Sequence, residues 1–207
     1  MQQAGTARDG ILDAAQRVAA RDGAGHVTLD AVAREAGVSK GGVLYHFPGK
    51  DALIAGMLER LIGEFDAEIA RLRAEAADGP NPSLRAMIGA CSRMCDVGRP
   101  VAMAILAAGA QNPDLLTPLR DSIAAHMKQL EAECADPDRA FLLCAAADGI
   151  IFQHMLGIAP YDDARRERLL AELCVMAREI PLNDSNTTSE ATSSDASQRH
   201  GQTEAQS

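Results

Sequence analysis

Apolar residues recur every three or four positions along most of the chain, the period of helices with one buried face. Leu53, Ile54, Met57, Leu58, Leu61, Ile62, Phe65, Ile69 and Leu72 keep this spacing and predict one long amphipathic helix to about residue 76. Gly79-Pro80-Asn81-Pro82 breaks it, and Ser83 is placed to cap a helix carrying Leu84, Met87, Ile88, Cys91 and Cys95. Arg99-Pro100 opens a short apolar segment over 101–110. Asn112-Pro113 opens another helix, with Leu115, Leu119, Ile123, Met127 and Leu130 on one face, and Asp136-Pro137 closes it. Stretches 141–157 and 162–180 complete an all-α pattern of about nine helices.

The segment 28–50, TLDAVAREAGVSKGGVLYHFPGK, is organised more tightly. Thr28 can cap a helix through its hydroxyl, and Asp30 adds negative charge near the positive end of the helix dipole. Leu29, Val32 and Ala33 share one face and should pack inward. Gly37 suits the left-handed conformation that ends a helix. Val38 is expected as a buried plug for the turn, and Ser39 as the next cap. Leu44 and Phe47 lie three apart on one face. Pro48 stops that helix or starts the next. Two short helices joined by a tight turn are the layout of a helix-turn-helix.

The polar positions of this segment carry its chemistry. Lys40 stands in the first turn of the second helix, where a recognition helix meets base edges or phosphates. Gly41 and Gly42 each cost roughly 1 kcal/mol of helix propensity relative to alanine, so small size matters there, and close approach to a DNA backbone supplies a reason. Tyr45, His46 and Lys50 end the element with phosphate-compatible donors. Singly, each residue has a plainer reading: a half-buried aromatic, a helix-end histidine, a solvated lysine, a loop glycine pair. Cap, turn glycine, cap, basic residue and aromatic end in one register favour the functional reading.

With these residues in place, GVSKGGVLYHFPGKDALI resembles the signature of TetR/AcrR-type transcriptional regulators. The preceding ILDAAQRVAARDGAGHVTLDAVAREA resembles their first helix and helix-turn-helix entry, so the likeness covers about residues 8–58. DGIIFQHMLGI and DDARRERLLAEL more faintly resemble the last two helices of one group of such proteins. The resemblance implies an all-helical homodimer in which three N-terminal helices bind DNA and the rest form a ligand pocket and a dimer interface. Carried onto this chain, DNA contacts fall on Thr28, Ser39, Lys40, Gly41, Gly42, Tyr45, His46 and Lys50. The chain departs from the pattern at Gly42, where many members carry a larger side chain; glycine has none to offer a base. The implied organisation is a DNA-binding domain over 1–50, a ligand-binding and dimerisation domain over 51–181, and a tail over 182–207.

Charge first opposes and then qualifies this reading. The net charge is −9, but residues 1–50 hold six Lys/Arg against five Asp/Glu, so the acidic excess lies outside the proposed reading head. A charge of +1 is still a weak basic patch, to which Arg8 and Arg17 are expected to add. Affinity should then depend on dimerisation and on salt. No apolar run suggests a membrane span, and the N-terminal MQQAGTARDG has no apolar signal segment, so a cytoplasmic protein without membrane partners is expected. From Asn183 the chain has no aliphatic residue larger than alanine and no aromatic, the composition of a disordered, solvated tail.

The five cysteines, Cys91, Cys95, Cys134, Cys144 and Cys174, lack metal-binding spacing. A thiol sensor is conceivable, but small buried hydrophobes are the better expectation. No Gly-rich phosphate loop, metal cluster or nucleophile-base motif points to an enzyme, and no cofactor is expected. A helical enzyme or carrier with an incidental helix-turn-helix is the alternative class, and a ligand-blind or redox-responsive regulator a further variant.

For the ligand pocket, Met94, Met103, Phe141, Phe152 and Met155 supply apolar lining, with methionine suited to varied shapes. Ile105 and Leu106 belong to the same apolar set. Gln111, Asp148 and His154 are the polar groups in or beside apolar helices. Asp148, within CAAADGIIF, is the most conspicuous, because a buried carboxylate is costly unless paired. It can meet a cationic ligand, but a structural partner is the commoner role. The expected partners are thus double-stranded operator DNA, a small-molecule inducer, and a second copy of the chain. The expected function is repression relieved by a small lipophilic ligand, with an efflux or metabolic gene under control.

Overall fold

In the computed structural model, residues 6–183 are described, apart from Gly98 and the side chains of 93–97. Among them the chain forms α1 (Ala7–Asp22), α2 (Leu29–Ala36), α3 (Lys40–His46), α4 (Lys50–Glu75), α5 (Pro82–Val97), α6 (Arg99–Gln111), α7 (Thr117–Glu133), α8 (Pro137–Leu156) and α9 (Asp163–Arg178). Short 3-10 turns precede α2 and α7. The all-α expectation holds.

Side-chain caps set most of the helix starts. Thr6 and Asp9 form a capping box on α1, in which each side chain accepts from the other's backbone N–H. Asp136 and Asp162 accept from Arg139 and Arg165 N–H at the starts of α8 and α9. Ser83 does not cap α5. Pro82 already occupies the first turn, and Ser83 donates its hydroxyl to Glu133 Oε1 at 2.6 Å.

Two cores share α4. The first gathers α1, α2, α3, the opening half of α4 and α6 around Leu12, Val18, Val32, Val43, Phe47, Leu53, Ile54 and Met57, each at most 2% exposed. Each such large apolar side chain contributes roughly 1.5–3 kcal/mol by leaving water. The second joins α5, α7, α8 and α9 around Leu84, Ile88, Leu130, Ala140, Leu170 and Ile180. The long α4 leaves the first core and packs along α5 through Ile69 and Leu72.

A buried polar knot ties the far end of the body together. Asn81 is fully buried with φ 52°, the left-handed region that asparagine tolerates better than most residues. Its side-chain amide donates to Ala177 O (2.9 Å) and Ile180 O (2.7 Å), and its oxygen accepts from Cys134 Sγ (3.2 Å). Beside it, Glu133 accepts from Ser83 and from Arg73 Nη2 at 2.7 Å. Leu182 and Asn183, assigned to the tail over 182–207, are instead bound to the end of α7. Asn183 N–H donates to Glu133 O, and Leu182 pairs with Cys134 in an isolated β-bridge. The remainder of the tail lies outside the described residues.

One described helix, α8, is long and apolar enough by length and composition to cross a membrane, with mean hydropathy 1.2, where the sequence pattern suggested none. Its inward residues Ala140, Leu143, Cys144 and Ala147 are buried in the second core. Phe141, Leu142, Phe152 and Leu156 on the same helix are exposed.

Candidate nucleic-acid interface and effector cavity

The helix-turn-helix is built from local chemistry. Thr28 Oγ1 accepts from Ala31 N–H at 3.2 Å and starts α2. Gly37 closes α2 at φ 69°, where a side chain would be strained. Ser39 Oγ accepts from Gly42 N–H at 3.1 Å and starts α3. The hydroxyls of Thr28 and Ser39 thus spend an acceptor position on capping and keep a proton to donate outward.

The inward face of α3 differs from the expected one. Val43 and Phe47 are buried, one helical turn apart, while Leu44 and Val38 are 39% and 43% exposed. Alpha-helical spacing brings i and i+4 together, and here that pair is 43 and 47 rather than 44 and 47. Phe47 is clamped by Gly56, where an added Cβ would come within 2.7 Å of its ring, and by the Arg8 guanidinium at 5.2 Å from the ring centre.

The outer surface presents Lys40, Gly41, Tyr45 and Lys50, with Gly42 and His46 half-buried at its margin. Tyr45 is 86% exposed, its ring edge-on to His46 at 5.0 Å. Thr28 is exposed at the start of α2, and Lys40 Nζ lies 2.9 Å from Asp30 Oδ2 near that end. The structure therefore joins the starts of α2 and α3 on one polar surface.

Much of the head's positive charge is spent internally. Arg17 and Arg21 both bind Glu35, at 2.8 and 2.7 Å, and hold its carboxyl below the usual carboxylate range, Arg21 first and Arg17 second. Arg8 pairs with Glu59 at 3.0 Å. These arginines brace α1 against α2 and α4 and do not enlarge a basic patch, contrary to expectation. Arg34 and Lys50 are the head's Lys/Arg residues without a carboxylate partner among the described residues.

A second site lies in the body. Residues of α4, α6, α7 and α8 line an apolar cavity of about 260 Å³, including Leu61, Phe65, Ile105, Leu119, His126, Phe152 and Met155. An adjoining lobe of about 190 Å³ shares Leu61, Phe65, Ala102 and Met155 and adds Cys91, Asp148 and Ile151. Asp148 keeps a solvent-exposed side, yet surrounding atoms desolvate its carboxyl enough to raise its pKa. Its bond from Cys91 Sγ is long, 3.9 Å, and opposes that shift only weakly. His126 stacks edge-on against Phe65 and lies 3.2 Å from Asp66. No lysine or arginine among the described residues lines either lobe.

Of the residues proposed for the pocket, Asp148, Phe152 and Met155 meet here, with Ile105 and Leu106. Gln111 lies elsewhere, in a cleft with Lys50, Asp51 and Asn112 between α4 and α6. Phe141 is exposed on α8 and Met103 does not reach the lining. The side chain of Met94 lies outside the described residues. His154 contacts Arg166 and Asp163 rather than the cavity. Sequence reasoning missed Phe65 and His126. Phe65 had a signal, an aromatic ring on the long helix past the head; His126 had only a weak one, a single polar residue beside the apolar face of Ile123 and Met127.

Cys134 and Cys144 match the plainer reading, while Cys91 is half-buried beside Asp148 and the side chain of Cys95 lies outside the described residues. Cys134 and Cys144 are buried, and desolvation pushes them up to about 11 and about 12, away from the reactive thiolate. Cys174 is also raised by burial. Among the described residues no cluster of His, Cys, Asp or Glu is arranged to hold a metal.

Comparison with known proteins bears on both sites. Residues 11–57 match the family described as bacterial regulatory proteins, tetR family, and residues 81–178 match the tetracyclin repressor-like C-terminal domain. The HTH-type transcriptional regulator BetI of Burkholderia thailandensis is 28% identical over 162 residues, 73% of this chain and 83% of that protein. A transcriptional regulator from Rhodococcus sp. Rha1 superposes with a TM-score of 0.66 at 27% identity, covering 83% of this chain and 96% of its own. The multidrug binding protein EbrR complexed with ethidium gives a TM-score of 0.59 at 27% identity, covering 84% and 99%.

Proposed function

The chain belongs to the tetR family of bacterial regulatory proteins, DNA-binding transcriptional regulators of the helix-turn-helix type, and from that premise we propose that it is a dimeric repressor released from a palindromic operator by a small lipophilic ligand. One observation carries this reading. Leu58, Leu61, Ile62 and Phe65 of α4 line the body cavity, while Leu53, Ile54, Met57 and Leu58 of the same helix sit in the core of the head. A ligand that favours a different setting of α4 thereby shifts the population of head positions. With two heads facing successive major grooves, roughly 34–36 Å apart, a small change in spacing is enough to lower affinity.

The exposed apolar residues of α8 and α9, Phe141, Leu142, Leu156 and Val175, support dimerisation through these helices, because an isolated soluble chain rarely leaves such a face uncovered. In this reading Thr28, Ser39, Lys40, Gly41, Gly42, Tyr45, His46 and Lys50 meet the DNA. Asp148 with Phe65 and Phe152 suits a lipophilic ligand that carries a positive group, as ethidium does. The regulated gene is then one for export or metabolism of such a compound.

The test is a salt-dependent gel shift on DNA from upstream of the protein's own gene. Wild type binds with a steep salt dependence, Tyr45→Ala and Lys40→Ala weaken binding, and ethidium releases it. Binding that is absent, or indifferent to both substitutions, overturns the assignment of the interface; binding that ethidium and other lipophilic cations leave intact overturns the assignment of the ligand.

A further inference from the structure

The cavity of the body has a polar end as well as a charged one. Ser122 and His126 stand one helical turn apart on α7 and line the larger lobe, where every other described lining residue is apolar. The Ser122 hydroxyl makes no hydrogen bond among the described residues. His126 is largely buried, its side chain 16% exposed, and its ring is fixed from two sides. Phe65 meets it edge-on with the ring centres 6.3 Å apart, and Asp66 Oδ1 lies 3.2 Å from Nε2. That oxygen is shut off from water and receives no aligned hydrogen bond among the described residues, so the nearby ring is its compensation.

The Asp66 carboxylate favours a proton on Nε2. In that tautomer Nδ1 is an acceptor, and Ser122 Oγ, one turn away, can donate as well as accept. A single hydroxyl answers such a pair, donating to one and accepting from the other. A purely apolar ligand would expel water and leave both groups without a partner, at a cost in affinity. Asp148 lies in the adjoining lobe, which shares Leu61, Phe65 and Met155 with this one, so continuous apolar wall joins the polar end to the charged end. Asp66 belongs to α4, so the ring at the polar end is tied to the helix that enters the head.

We propose that Ser122 and His126 select the effector by a hydroxyl group: it is a lipophilic cation whose far end carries a phenol or alcohol, bound to His126 Nδ1 and Ser122 Oγ while its positive group meets Asp148. Asp66 is a positioning residue that holds the His126 tautomer. This rests on the reading of the cavity as the site of a lipophilic cation and deepens it by naming a second group that the ligand carries. The rings of Phe65 and Phe152 in the wall favour a phenol over an alkyl alcohol.

The experiment is isothermal titration calorimetry of the full chain with (ω-phenylalkyl)trimethylammonium ions of increasing spacer length, each paired with its 4-hydroxyphenyl counterpart. At the best spacer, wild type is expected to prefer the hydroxylated member by about three- to tenfold. His126→Phe keeps a ring against Phe65 but cannot accept, and there the preference reverses, because the hydroxyl is buried unpaired. Ser122→Ala reduces the preference and stands in if His126→Phe does not fold. Asp66→Ala also lowers it, and Asp66→Asn, whose carbonyl still accepts from Nε2, restores it. The ratio within a pair is not moved by a general loosening of the cavity. A preference absent from wild type at every spacer, or retained in both His126→Phe and Ser122→Ala, overturns the proposal and leaves the cationic reading standing. Plain members that bind wild type and Asp148→Asn alike overturn the cationic reading and the ligand named here. Failure of every member to bind wild type overturns both.

Discussion

The helix-turn-helix head and the apolar cavity of the body are built by opposite rules. In the head, each important group is fixed by a neighbour within a few positions: Thr28 by Ala31, Ser39 by Gly42, Gly37 by its own φ of 69°. In the cavity, Phe65, Ile105, His126 and Phe152 come from four helices spread over more than eighty positions of sequence. The head keeps its carboxylates satisfied, with Glu35 held by two arginines and Asp30 paired with Lys40. The cavity leaves Asp148 with one long thiol contact and a raised pKa. A surface that meets a fixed polyanion needs rigid, locally determined donors. A cavity that accepts varied small molecules needs loosely committed walls and a charge without a permanent partner.

The seam between the two regions is where the contrast breaks most severely. Phe47 is 2% exposed, is wedged against Gly56 of α4 and covered by Arg8 of α1. Phe47→Ala removes the ring and leaves a cavity, at a cost of about 3–5 kcal/mol. Chemical denaturation should show that loss, and DNA binding should fail before the body unfolds. If the head still bound DNA normally, the coupling of α3 to α4 would not run through this ring.

A smaller loss is expected at Asn81, in the body alone. Asn81→Ala removes two buried hydrogen bonds to α9 and its end and a third from Cys134 Sγ, and puts alanine at φ 52°. The two effects together cost about 2–4 kcal/mol. Asn81→Gly relieves the backbone but not the lost bonds, so it should fall between wild type and alanine. DNA affinity at low temperature should be unchanged in both, which separates body stability from head chemistry. Equal stability of the glycine variant and wild type would show that the bonds contribute nothing.

These two positions also show what a sequence discloses. The caps Thr28 and Ser39, the turn at Gly37 and the exposed Tyr45 were legible because each depends on short-range rules of helix ends. The inward face of α3 was misread because Val38, Val43 and Leu44 are all apolar, and seven residues give too few turns to separate one face from another. Arg8 and Arg17 looked like phosphate ligands because their partners Glu59 and Glu35 are distant in sequence. The role of Asn81 was hidden for the same reason: a Gly-Pro-Asn-Pro run announces a break but not a contact with residues 177 and 180. In α8, apolar nearly all round, Phe152 and Phe141 were indistinguishable; both are about half exposed, and only the fold places Phe152 along the cavity.

On the DNA side, the pair Asp30–Lys40 offers effects of opposite sign. Lys40→Ala removes a donor from the first turn of α3 and should weaken binding about tenfold, lowering the salt slope by about one ion. Asp30→Asn removes a carboxylate that both holds Lys40 and repels phosphate, and should tighten binding about threefold on operator and unrelated duplex alike. Fluorescence anisotropy across a salt series measures both. Weakening by Asp30→Asn would mean that Asp30 chiefly positions Lys40 for its contact.

The mildest effect belongs to the cavity, and its sign is the informative part. Burial raises the Asp148 pKa above the value it has in the unfolded chain. Between those two values the folded state holds the proton and the unfolded chain releases it, so stability falls as pH rises through that window. Above the raised value the full penalty of an ionised, desolvated carboxylate is present. Asp148→Asn removes the penalty, so the variant should melt slightly above wild type at neutral pH and lose this part of the pH dependence. A lipophilic cation such as tetraphenylphosphonium should reverse the order, stabilising wild type but not the variant, with binding that weakens as pH drops through the raised pKa. Scanning calorimetry from pH 4 to 8, with and without the cation, reads both. An asparagine variant that melts below wild type without ligand would show that Asp148 has a permanent partner, and the contrast between a committed head and an uncommitted cavity would then fail at its central residue.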